Sequence, residues 1–132
     1  LASRLAAQRC TEMQAARLTA LHRRFIAACE HGELQLAVQL TIEFHEYIWQ
    51  ISGSEVLQRI MRDLIGTYWA RVTPTSLSLD GRIEECEREH TEILAAVVGG
   101  DAEEAESLSR EHIRKARNAR MGVDQGSSIA PM

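Results

Sequence analysis

The chain is short of the residues that break helices, staple loops and cross membranes. Only 2 of its 132 residues are proline and 5% are aromatic. Few prolines leave long stretches open to helix. Ala, Leu, Glu and Arg are abundant, which favours helices over a sheet. The three cysteines, Cys10, Cys29 and Cys86, are odd in number and match no metal-knuckle spacing; they read as reduced thiols of a cytoplasmic protein. No apolar run approaches the ~20 residues of a membrane span, and no secretory signal is visible. The formal net charge is −4, which argues against nucleic-acid binding by this segment itself. Nucleophile elbow, Walker loop, HExxH and GxGxxG are all missing. What remains is 45% apolar and 26% charged, ordinary for a soluble domain that buries roughly two-thirds of its unfolded surface.

Capping and breaking signals divide the chain into about six helices. Leu1 to about Arg9 reads as a short helix. The chain opens there already in helical register and without an initiator Met, so the expectation is a fragment of a longer protein. Thr11, with Gln14 three residues on, offers a capping box for a second helix that stops at His31-Gly32. The third runs from about Glu33 to Ile51, where Ser52-Gly53 breaks it. Ser54 caps a fourth that reaches about Val72, and residues 73–80 are the longest internal loop. The fifth runs from about Gly81 to Val98. Gly99-Gly100 and the N-cap Asp101 separate it from a sixth that ends near Ala119 with Arg114, Lys115, Arg117 and Arg120 around its last turns. From Met121 onward Gly, Ser and Pro suggest a disordered tail, so residues 1–120 form the domain and 121–132 the tail.

Three histidines interrupt three apolar stripes at helical spacing. His45 lies on Leu34, Val38, Thr41, Phe44/His45 and Ile48; His90 on Ile83, Cys86, His90, Ile93/Leu94 and Val97; His112 on Ala105, Leu108, His112, Ile113 and Ala116. A buried imidazole without a partner is costly. Each taken alone is most simply a core histidine bonded to a carbonyl or hydroxyl. Together, on three helices of a bundle, they converge if inward residues meet at similar depth, which is how bundle cores build metal sites. Three neutral imidazoles suit Zn, Ni, Cu or Fe. Both readings stand at this level. Cys86, one turn before His90, reads as a small buried hydrophobe or a thiolate ligand. Glu87-x-x-His90 has the spacing of a di-iron carboxylate motif, but the residue three before His112 is Ser109, so the second motif is missing. Arg71 continues the apolar side of the fourth helix and is either an exposed helix-end residue or a two-point anchor for a carboxylate. Tyr68 and Trp49 line the same cavity or simply fill the core. His22 and His31 read as ordinary.

The order of motifs resembles one family. Phe44-His45-Glu46-Tyr47-Ile48, then Ser52-Gly53-Ser54 and Leu57, is similar to a pattern Asp-x-x-Phe-His-x-x-Ile, then Gly-Asn and Leu. Glu89-His90-Thr91-Glu92-Ile93-Leu94-Ala95-Ala96-Val97, then Gly100-Asp101 and Ala105, is similar to Glu-His-x-x-Ile-x-x-Ala-Ile, then Gly-Asp-x-x-x-Ala, and His112-Ile113 follows. The chain thereby resembles, over about residues 1–120, the FCD domain, the C-terminal effector-binding domain of the FadR subfamily of GntR transcription regulators. The resemblance implies an all-α antiparallel bundle with a central pocket, a divalent metal (zinc or nickel foremost) held by an Asp and three His, and a small organic acid as effector. Carried over by position, the metal ligands are His45, His90 and His112; the family's Asp is Thr41 here, which removes an anionic ligand. Thr41, Arg71 and Tyr68 are the further ligand-binding candidates. The resemblance also implies a homodimer that meets DNA only through an N-terminal winged helix, of which this sequence has no trace, and a role in binding, not catalysis. The rival readings are a metal-dependent enzyme on the same bundle and an interaction module with structural histidines.

Overall fold

The computed structural model describes residues 1–67, 71, 73–74, 77–78 and 80–128. They form six α-helices: α1 Ala2–Arg9, α2 Glu12–Glu30, α3 Leu34–Ile51, α4 Glu55–Met61, α5 Arg82–Val98 and α6 Ala102–Ser128, with a π-helix, Arg62–Gly66, after α4. Among the described residues there is no strand. The architecture is an all-α helical bundle: composition and periodicity predict the helices, and the resemblance predicts their bundling.

The caps act where the sequence places them. Thr11 Oγ1 accepts from the Gln14 backbone N–H at 3.2 Å while Gln14 Oε1 accepts from the Thr11 N–H at 3.0 Å, so two orphan donors are satisfied. Ser54 Oγ accepts from the Leu57 N–H at 3.2 Å, and Asp101 Oδ1 from the Glu104 N–H at 3.1 Å. Between α3 and α4 the turn is held from outside: the Arg9 guanidinium donates to the Ser52 carbonyl at 2.6 Å. Gly53 there has φ +73°, and a Cβ on it would lie 3.2 Å from Arg9 Nη1. Both the backbone angle and the close approach require glycine.

Small residues let the helices approach. Ala6 and Ala7 of α1, Ala96 of α5 and Ala105 of α6 are buried in one cluster with Leu18, Phe44, Ile48, Ile93 and Val97. Through it α1 packs on α3, α5 and α6. A second cluster joins Phe25 and Ala28 of α2 to Ala37 and Leu40 of α3 and Cys86 of α5. The α1–α6 contact is also tied by polar bonds: the Ser109 hydroxyl donates to Ser3 Oγ at 2.6 Å, and Arg4 pairs with Glu106.

Three boundaries differ from expectation. The fourth helix widens at Arg62 into the π-helix, an i to i+5 ladder that side-chain periodicity does not reveal, and its expected end at Val72 lies outside the described residues. In the stretch expected as loop, Thr73, Pro74 and Leu77 are helical, and Leu77 is buried in the second cluster. The last helix passes Ala119 and continues to Ser128. Gly122 and Gly126 lower helix propensity but, unlike proline, leave the backbone ladder intact.

Replacing Gly53 by Ala is expected to destabilise the fold by about 1–2 kcal/mol, the cost of forcing a left-handed angle on a residue with a Cβ. A guanidinium denaturation midpoint that does not move would show that the Arg9-bound turn is not fixed.

Candidate metal and effector site

The apolar stripes of α3, α5 and α6 turn their histidines to one point. His45 is 7% exposed, His90 0% and His112 6%. His45 Nε2 lies 3.2 Å from His90 Nε2, and His90 Nε2 lies 3.3 Å from His112 Nε2. One ring nitrogen of each lies within 4.8 Å of the other two. The His45 and His112 rings are stacked, centroids 5.1 Å apart and 16° between planes, while His90 meets both edge-on. His90 is positioned by aromatic walls: Phe44 stacks on it at 4.9 Å and Phe25 lies at 5.2 Å, both fully buried.

Burial decides the charge of these rings. It pushes His45 well below its ordinary value of 6.5, and His112 adds to the shift. His90 is lowered in the same way, first by burial and then by His112 and His45. His45 and His90 are therefore neutral imidazoles near pH 7, the form that ligates metals. Two of the three nitrogen separations also fit an ion. Two ligands at 2.0–2.1 Å from a tetrahedral ion lie about 3.3–3.4 Å apart, close to the nitrogen separations found between His90 and its two neighbours.

The remaining polar groups divide sharply. Thr41, one turn before His45 on α3, is buried, and its Oγ1 has no hydrogen-bond partner among the described residues. His90 Nδ1 is likewise buried without one. His112 Nδ1 is bonded to Glu89 Oε2 at 2.9 Å, and Glu89 in turn holds Arg82, at 2.8 Å from Oε1. Burial by itself would raise the Glu89 carboxyl, but the bonds from His112 and Arg82 win and hold it below its ordinary value. Cys86 takes no part: burial pushes its thiol up to about 12, so it is a protonated, apolar-packed side chain. Arg71 is exposed, and Tyr68 lies outside the described residues. Trp49 shares with His45 the lining of a cavity of about 120 Å³, together with Ser3, Met61 and Ser109.

Sequence reasoning missed Arg82, Glu89 and His22. Arg82 and Glu89 are seven residues apart and so on one helix face, a signal present in the chain but hidden by the exposed charges around it. His22 is buried beside Phe44 and His90, and Thr91 Oγ1 lies 2.8 Å from its Nε2. Since the Thr91 hydroxyl donates to the Glu87 carbonyl at 2.7 Å, it must accept from His22 Nε2–H. Burial lowers His22 too.

The FCD domain family matches residues 1–115, nearly all of the bundle. The chain belongs to the FCD domain family. FCD domains are effector-binding domains of GntR-type transcription regulators, so the chain is a regulatory module. No curated protein matches it. Among the described residues no helix is long and apolar enough to cross a membrane.

These histidines give a signed pH dependence. The unfolded chain takes up protons as pH falls through about 6.5, whereas His22, His45 and His90 resist protonation in the fold. The unfolded state then binds more protons, so stability falls as pH drops below that value, by up to about 1.4 kcal/mol per pH unit for each histidine. The Glu89 contribution, present above its ordinary 4.5, is lost only at lower pH. Metal-free protein is expected to melt at constant temperature from pH 8 to 7 and at falling temperature from pH 6.5 to 5.5; a flat profile would contradict neutral burial.

Proposed function

We propose that this FCD domain senses a small organic acid at the three-histidine site, with a divalent ion, zinc or nickel, held by His45, His90 and His112. The observation that carries the reading is the convergence of three Nε2 atoms, buried and 3.2–3.3 Å apart along the chain of contacts. A bound ion of this kind supplies a Lewis-acidic centre for a carboxylate oxygen. The chain's own residues exclude water through Phe25 and Phe44 and keep His45 and His90 neutral. Thr41 Oγ1, unpartnered on the His45 face, offers a neutral hydroxyl where the resemblance expects an anionic ligand. With no carboxylate ligand, three imidazoles leave the full charge of the ion for an acidic effector to neutralise. Tyr68 and Arg71 remain candidates for its far end.

The output is geometric. An effector shifts an equilibrium only through different affinities for two helix arrangements. In a homodimeric regulator carrying winged helices before Leu1, such a shift changes their spacing against DNA half-sites. In this reading the activity is binding, not turnover: Glu89, the carboxylate at His112, is already bonded to His112 and Arg82.

Elemental analysis of untagged protein, purified without chelator, tests the site. About one zinc or nickel per chain is expected, absent from His90→Ala. A wild type that takes up neither ion, even after soaking, sinks the metal reading; melting shifts with short carboxylic acids that persist in that protein would then assign direct carboxylate binding to the imidazoles.

A further inference from the structure

Among the described residues, Arg82 and Glu89 form a buried ion pair that the proposed function leaves unused. Arg82 stands in the first turn of α5 and is 3% exposed; the Glu89 side chain, two turns on, is 11% exposed. Burying an ion pair is costly, and replacing such a pair by apolar residues is often neutral or stabilising. Its presence beside three imidazoles therefore calls for a reason other than stability. The bonds supply one. Arg82 Nη1 donates to Glu89 Oε1 at 2.8 Å and to Oε2 at 3.2 Å, and to Glu85 Oε2 at 3.1 Å. The carboxylate is thus fixed on its own helix, with Oε2 turned across to His112 of α6 at 2.9 Å.

A carboxylate offers only lone pairs, so the proton of this bond is on His112 Nδ1. A neutral imidazole with its proton on Nδ1 has its lone pair on Nε2, the atom that faces His90. We propose that Glu89, anchored by Arg82, is the positioning residue that holds His112 in the one tautomer and ring orientation that can ligate an ion; the consequence for affinity rests on the metal reading above. His90 and His112 differ in this support: His90 Nδ1 has no partner among the described residues, whereas the lone pair of His112 is fixed in advance.

Glu89→Gln tests this because it keeps size and changes chemistry. Arg82 claims the single amide oxygen, and the amide nitrogen then donates to His112 Nδ1, which drives the imidazole proton to Nε2. Long-range nitrogen–proton NMR of metal-free protein is expected to show His112 protonated on Nδ1 in the wild type and on Nε2 in Glu89→Gln. Zinc affinity, measured against a chromophoric chelator, is expected to fall about 10–100-fold, the usual loss when a partner of a ligating histidine is removed. A purely structural ion pair would lower the melting temperature and leave the tautomer alone. An unchanged tautomer with affinity within about twofold overturns the positioning role. A wild type that binds no zinc sinks the metal reading but not this one, which the tautomer comparison then decides by itself. Should Glu89→Gln fail to fold, Glu89→Asp keeps the charge and withdraws the carboxylate from α6; it is expected to release His112 from the Nδ1-protonated tautomer, and an unaltered His112 signal there overturns the proposal equally.

Discussion

Bringing three imidazole nitrogens to within bonding distance in a dry interior is the constraint on which the packing of this bundle turns. Each ring alone prefers water or a carbonyl. To face one another, α3, α5 and α6 must lie close at one level, and the alanines at positions 6, 7, 96 and 105 make the close approach possible. Phe25 and Phe44 fill the space around His90. The same burial that makes the cluster costly keeps His45 and His90 neutral and hence competent as ligands. Stability and function draw on one arrangement, so the site is where substitutions that help one are expected to harm the other.

Much of this was legible in the chain because helices write their faces into sequence at three- and four-residue steps. Thr11, Ser54 and Asp101 are caps by residue type and are caps in the fold. The stripes that select His45, His90 and His112 depend only on that period, and the fold brings the three together. Where the period fails, so does the reading. The π-helix at Arg62–Gly66 changes the ladder without changing composition. Leu77 sits in a stretch rich in Thr, Pro and Ser and still reaches the core. Arg82 and Glu89 look like the solvated charges around them, Arg88 and Glu92; only their burial in the fold distinguishes the pair.

The electrostatics of the site are layered. Nearest the centre are the imidazoles, with His45 and His90 held neutral by burial, and a hydroxyl, Thr41; behind His112 sits an anion, Glu89; behind that a cation, Arg82. The anion is matched by its cation, so the field it adds at the centre is a dipole's and falls off quickly. His22 closes the rear of the cluster, bonded away to Thr91.

The tie between the first helix and the last has a consequence for how the chain is made. Ser3 meets Ser109 across 106 positions, and Arg4 meets Glu106 across 102. Contacts of such separation form only after a large loss of chain freedom, so they are expected late in folding. During synthesis α1 emerges before the helices that cover it and must wait, its alanine face uncovered, until α5 and α6 have left the ribosome. His112 arrives in the same last segment. A nascent chain halted anywhere before it holds at most two of the three imidazoles and an open core, so a cell that surveys unfinished proteins would find this domain recognisable as incomplete until its helix α6 is made.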